Sequence, residues 1–142
     1  MVLLASASPQ RHDLLRQIGI EPVVIPSDVP EPVDPDDVCG SLKLLASQKA
    51  SASMAKLIAG STTQLDGPIW SIGADTVIHH QGRILGKVGN ESEASEVLRT
   101  LAGTSHSVLT GVSVQRLDLN GSDLESAEQP VVAVARTSVR FR

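Results

Sequence analysis

Aromatic side chains are nearly absent from this chain: Trp70 and Phe141 stand alone and there is no tyrosine. Without aromatic faces successive bases have nothing to stack on, which argues against a single-stranded nucleic-acid platform. An excess of positive charge is also missing, since 12 Lys and Arg face 16 Asp and Glu for a net charge of -4. Long nucleic acid would find no basic footprint, although a small anion needs only a few cations gathered locally. Cysteine is limited to Cys39. No internal disulfide can form, which suits a reducing compartment. The opening MVLLASAS has no basic stretch, and its apolar run is too short for a signal peptide or a membrane span. These absences lead to the expectation of a soluble cytoplasmic protein with no membrane partner. The 142 residues suffice for one domain, 1–142, with its own core.

What is present alternates between strand and helix signals. VLLA at 2–5 is a short apolar run suited to a buried strand. A helix follows at once, with Ser8 in the capping position, Pro9 at its first residue, Leu14, Leu15 and Ile18 as its apolar stripe, and Gly19 past its end. EPVVIP at 21–26 reads as a second strand, and the acid- and proline-rich SDVPEPVDPDD after it as a loop. From Ser41 to Ile58, Leu42, Leu45, Ala46, Ala50, Met54 and Leu57 recur at helical spacing. IWSIGADTVIHH, QG and RILGK then read as a hairpin turning at Gly82. Asn90 caps a further helix, with Glu93 in capping-box position and Gly103 at its end. SVLTGVSVQ is a strand, RLDLNGSDLESAEQP a long exposed loop, and VVAVARTSVRFR a last strand. The pattern predicts an α/β fold without repeats or an internal boundary.

The turn between VLLA and Pro9 carries the first chemical signal. A strand that feeds a helix leaves unpaired N–H groups and the positive end of the helix dipole at the turn, which together favour an anion. Ser6 and Ser8 add hydroxyls there, and Arg11 in the first turn carries a planar fork of donors. The plainer alternative is that Ser8 only caps the helix. Neither GxxxxGK[ST] nor GxGxxG occurs. Lys49 falls inside the packed stripe of its helix, where a cation is costly unless it is paired or reaches a polar cavity. Lys56, near the helix end, is expected merely to snorkel. Asp75 interrupts the apolar strand IGADTVI, a place where carboxylates are depleted, the alternative being an outward-facing acid. Lys87 follows Gly86 at the far end of the same hairpin. Two lysines, an arginine, a helix N-terminus and a lone acid are what metal-assisted attack on a polyphosphate requires. Other signals are weaker: His79 and His80 face opposite ways on a strand and read as ordinary surface histidines, His106 suits a hydrogen-bonded structural role, and Cys39 has no partner base.

Taken together, LASASPQR with Leu14 and Leu15, Glu31, LASQKA at 45–50, GADTVI at 73–78, ILGK at 84–87, EASEVLRTLAGTSHSVLTGV at 93–112 and TSVRFR resemble the Maf family of nucleoside triphosphate pyrophosphatases. The resemblance implies a twisted mixed sheet with flanking helices and a cleft between two lobes. It implies hydrolysis of a nucleoside triphosphate to monophosphate and pyrophosphate with a divalent cation, Mg²⁺ or Mn²⁺, in a cytoplasmic enzyme that is often a homodimer. The family's general base maps onto Asp75, and its substrate contacts onto Ser6, Ser8, Arg11, Glu31, Lys49 and Lys87. Its specificity positions map onto Gln10 and Thr76, and no metal ligands are assigned. Thr76 after Asp75 matches the branch acting on dTTP and UTP. Gln10 stands where many members have Arg, which removes a charge and its bidentate fork. Val88 replaces a common proline and spares Lys87. The family usually continues past the position of Arg142 into a segment that helps select the base. The expectation is therefore a pyrophosphatase, with a nucleotide-binding module of weak or absent catalysis as the alternative.

Overall fold

The computed structural model describes residues 1–61, 65, 67–120, 123–125 and 129–142. Among them seven strands form one mixed sheet, flanked by three helices, so the expected α/β class holds. β1 (Val2–Leu4) lies parallel to both β2 (Val23–Val24) and β3 (Gly67–His80). β3 turns through Gln81 and Gly82 into β4 (Arg83–Leu85), the expected hairpin with a two-residue turn of positive φ. β3 also pairs antiparallel along β5 (Ser105–Asn120), which in turn pairs with β6 (Asp123–Glu125) and β7 (Val131–Arg140). The segment read as a long loop after Gln115 is thus corrected in part. Residues 116–120 continue β5, because the long β3 offers them a full antiparallel partner, and 123–125 return as β6. Residues 121, 122 and 126–128 of that segment lie outside the described set.

α1 (Pro9–Gln17) begins where β1 ends and closes as expected, with Gly19 N–H on the Arg16 carbonyl and Ile20 N–H on the Leu15 carbonyl. Its expected buried stripe does not form: Leu14 and Ile18 are 60% and 71% exposed, and the helix buries no residue. None of the described elements packs extensively against that side of α1. Ser8 occupies the N-cap position, but its hydroxyl donates to Gln10 Oε1 at 2.9 Å instead of capping the helix.

α2 (Val38–Gly60) starts three residues before the expected Ser41, because Asp37 caps it by accepting from Gly40 N–H. It lies across one face of the sheet. At its N-terminal end Leu42 packs with Val77 and Leu109; towards its C-terminal end Met54 packs with Leu3, Ile69 and Leu117. The middle is built from small residues. A Cβ on Gly73 would overlap the backbone of Ala46 and Ala50, and one on Gly111 the backbone of Leu42. Glycine at these two positions lets helix and strands approach closely. Ser71 Oγ donates to the Ala50 carbonyl at 2.8 Å, and Ser47 Oγ to Ser113 Oγ at 3.2 Å. α3 (Glu91–Leu101) is capped as expected, Asn90 Oδ1 accepting from Glu93 N–H at 2.9 Å, while the Glu93 carboxylate reaches back to Gly89 N–H.

Candidate functional site

The turn after β1 and the start of α1, the second half of β3, the middle of α2, the loop before it and the segment after β4 converge on one cavity of about 470 Å³. Ser6, Ser8, Arg11, Glu31, Lys49, Asp75, Thr76 and Lys87 line it, so eight of the nine residues singled out as binding or catalytic meet in space. The ninth, Gln10, stays out of the lining and is tied to Ser8. Ala5, Ala7, Pro26, Ser27 and Asp28 complete the walls. A second hollow of about 310 Å³ shares Glu31, Asp75, Thr76 and Lys87 and is otherwise walled by Val33, Val77, Ile84, Leu85 and Gly86.

At the centre is a chain of four charges. Lys49 Nζ donates to Asp75 Oδ1 at 2.6 Å and to Glu31 Oε1 at 2.5 Å, and Lys87 Nζ donates to Glu31 Oε2 at 2.6 Å. Lys49 and Asp75 are almost fully buried, so the reading of Asp75 as an outward-facing acid fails and Lys49 does not snorkel to solvent. The contact exists because Gly73, two residues before Asp75, admits α2 so closely. Lys87 is 78% exposed and Glu31 36%, so the outer half of the chain opens towards solvent. The two ammonium groups, Lys49 foremost, hold the Glu31 carboxyl below its ordinary value of 4.5.

The turn after β1 supplies the other wall. Ser6 is buried, and its Oγ accepts from Ser8 N–H at 3.3 Å and from Arg11 Nη1 at 3.0 Å, leaving its own proton to give. Arg11 Nη1 also donates to the Ala74 carbonyl at 3.0 Å, and Nη2 to Thr76 Oγ1 at 3.1 Å. Thr76 Oγ1 is 2.9 Å from Thr110 Oγ1.

Sequence reasoning missed how the loop 26–31 is held. Lys56, expected only to snorkel, donates to the Pro26 carbonyl at 2.8 Å and pairs with Asp28 at 2.5 Å, latching the loop to α2. Its position on the same face as Lys49, seven residues on, was the available signal. Of the histidines, His80 is buried, not on the surface as expected, with Nδ1 3.3 Å from the Ser105 carbonyl. His106 is buried and packs edge-on against Phe141, but its Nδ1 has no hydrogen-bond partner among the described residues, so its structural role is packing and not the hydrogen bond expected.

Chemically, the cavity combines a helix N-terminus, hydroxyl donors, three cations and a buried carboxylate. Its three cations are matched by three carboxylates, Asp28, Glu31 and Asp75. A polyphosphate entering it would therefore need a further cation. The available ligands, Glu31 and Asp75, are hard carboxylate oxygens of the kind that Mg²⁺ or Mn²⁺ takes together with phosphate oxygens. Among the described residues no group of three or more His, Cys, Asp and Glu forms a ready cage. The donor set fits a cation shared with a phosphate ligand better than one held by protein alone. No helix of the described residues is long and apolar enough to cross a membrane.

A family model described as Maf-like protein matches residues 1–142. A dTTP/UTP pyrophosphatase of Bacillus thuringiensis subsp. konkukian (strain 97-27) is 37% identical over 131 residues, covering 89% of this chain and 62% of the relative. One from Geobacter sulfurreducens is 38% identical over 121 residues, 84% of this chain and 59% of the relative. One from Anaeromyxobacter sp. (strain Fw109-5) is 36% identical over 141 residues, 99% of this chain and 60% of the relative. The chain thus spans about three fifths of the length of the curated relatives it matches.

Proposed function

Because the chain belongs to the Maf-like protein family, we propose that it is a nucleoside triphosphate pyrophosphatase, acting on dTTP or UTP and releasing the monophosphate and pyrophosphate. The observation that carries this reading is the chain Asp75–Lys49–Glu31–Lys87, each successive pair joined by a hydrogen bond of 2.5 to 2.6 Å, beside the N-terminus of α1. The names of the relatives support the choice of nucleotide.

In this reading Asp75 is the general base, orienting and deprotonating the water that attacks phosphorus. Lys49 holds Asp75 in place through its hydrogen bond to Oδ1, and presents positive charge to the phosphate oxygens. Lys87, on its exposed stem, moves from Glu31 to the polyphosphate as it enters. Ser6 and Ser8 donate hydroxyl hydrogen bonds, and the free N–H groups at the start of α1 face the same negative charge. The neighbouring hollow, with Val33, Val77, Ile84 and Leu85, offers apolar surface to a sugar or base, next to Thr76. A divalent cation held by Glu31 and Asp75 supplies charge neutralisation along the polyphosphate when bound. The same reading assigns Gln10 to substrate selection through its hydrogen bond to Ser8, and the enzyme to the cytoplasm as a homodimer.

The test is a panel of nucleoside triphosphates assayed for pyrophosphate with Mg²⁺ or Mn²⁺. We expect turnover of dTTP or UTP, with loss of at least a hundredfold in Asp75→Asn. A folded protein that hydrolyses no triphosphate would overturn the reading, and nucleotide binding without hydrolysis would support the binding module instead.

A further inference from the structure

Arg11 has the residue type and place expected of a phosphate ligand, yet three of its five N–H donors are already committed within the protein. Their acceptors come from two separate segments. Ser6 Oγ belongs to the turn that leaves β1, while the Ala74 carbonyl and Thr76 Oγ1 stand on either side of Asp75 in β3. β1 pairs with β3 as far as Leu4 opposite Ile72, and Ala5 N–H adds a bond to the Ile72 carbonyl at 2.9 Å. There the chain bends away towards α1. Two residues along β3 the Ala74 carbonyl points to the same side and has lost its strand neighbour. The guanidinium fills that gap in the ladder.

We propose that Arg11 is a positioning residue: its planar fork ties the Ser6 turn to β3 on both sides of Asp75, through the Ala74 carbonyl and the Thr76 hydroxyl, and fixes the carboxylate against Lys49. Lys49 and Lys87 are then the side-chain cations that meet the ligand. The proposal rests on the pyrophosphatase reading for its catalytic consequence, but the brace itself does not. A single ammonium reaches neither set of acceptors as the fork does, so charge and geometry separate cleanly in a lysine variant. Thr76 Oγ1, accepting from Arg11, keeps its own proton for Thr110 or for a ligand.

The experiment compares wild type with Arg11→Lys and Arg11→Ala by three measurements: the affinity for magnesium tripolyphosphate, amide hydrogen exchange over residues 72–77, and kcat and KM on dTTP. We expect exchange over 72–77 at least tenfold faster in both variants, tripolyphosphate affinity within threefold of wild type in both, and kcat at least tenfold lower in both with little change in KM. A catalytic group displaced by a fraction of an ångström loses rate without losing ground-state binding. Thr76→Val should reproduce the faster exchange, and Thr76→Ser, which keeps the acceptor, should restore protection; this pair decides the matter if the Arg11 variants fail to fold. Unchanged exchange, or tenfold weaker tripolyphosphate binding in Arg11→Ala that Arg11→Lys restores, would overturn the brace and make Arg11 a ligand. Absence of turnover in wild type would sink the pyrophosphatase reading alone, because exchange and affinity still decide the brace.

Discussion

At the residue scale the most informative side chains are those that break a local pattern. Lys49 sits in an apolar helical stripe and Asp75 in an apolar strand, and each anomaly is resolved by the other at 2.6 Å. Both could be picked out from sequence because a charge in such a place is costly unless paired. Glu31 was legible only through a family resemblance, since one acid among five in a proline-rich loop carries no pattern of its own. Its position yields a pH prediction. Two lysines depress its folded pKa below 4.5, so its contribution to stability is present above 4.5 and is lost as pH falls through the lowered value. At 36% exposure solvent screening keeps that contribution small. The melting temperature of Glu31→Gln should lie below that of wild type near neutral pH, and the gap should close as pH drops below 4.5. A gap that widened on acidification would mean that Glu31 is not held by Lys49 and Lys87. The long-range hydrogen bonds of Arg11 and Lys56 were out of reach for another reason: the Arg11 acceptors in β3 lie 63 and 65 residues away and those of Lys56 30 and 28, and only the packed fold decides which groups come within reach.

Among the elements, α2 and β3 matter most, because their separation sets the distance between Lys49 and Asp75. Their existence could be read from periodicity, and so could the hairpin at Gly82 and the cap at Asn90. Their closeness could not, since a glycine in a strand signals an approach without naming what approaches. Gly73 meets Ala46 and Ala50, and Gly111 meets Leu42, backbone to backbone in both cases. Backbone has little freedom to yield. Gly73→Ala should therefore force α2 off the sheet and destabilise the fold by about 1–3 kcal/mol, the usual range for overpacking. Urea denaturation should show a lower midpoint at an unchanged slope. Lys49 and Asp75 should separate as well, so the loss of turnover in the folded variant should exceed that of a remote variant of equal stability. A Gly73→Ala protein as stable as wild type would show that the helix can shift freely. α1 makes the opposite case. Its Leu14, Leu15 and Ile18 have helical spacing but Leu14 and Ile18 remain exposed, and the helix is held by its closing turn and by Arg11. Amphipathic spacing reveals a helix; it does not reveal whether a partner lies opposite.

The whole molecule carries a net charge of -4, and the three cations of the cavity are offset by three carboxylates. A triphosphate therefore meets long-range repulsion and a formally neutral site, against the attraction of the helix N-terminus and of two lysines that must first leave Glu31. In the proposed reading a divalent cation would change this balance by lowering the charge of the ligand before it enters and by giving Glu31 and Asp75 a new partner. The residues that would grip the ligand span positions 6 to 87 and come together only in the folded chain. Binding thus stabilises the native state alone, by RT ln(1 + [L]/Kd), about 2.7 kcal/mol at a hundredfold excess over Kd. For a domain of this size that corresponds to a rise in melting temperature of roughly 5–11 °C. Inorganic tripolyphosphate with Mg²⁺ should produce such a rise, tripolyphosphate with EDTA a much smaller one, and Mg²⁺ alone very little, because no preformed cage of three acidic or histidine ligands exists among the described residues. Raising monovalent salt should shrink the effect of tripolyphosphate with EDTA most, since there only screened contacts remain. Equal stabilisation with and without Mg²⁺ would mean that the protein's own cations suffice to hold the phosphates, and the assignment of Glu31 and Asp75 as shared ligands of a cation would fall.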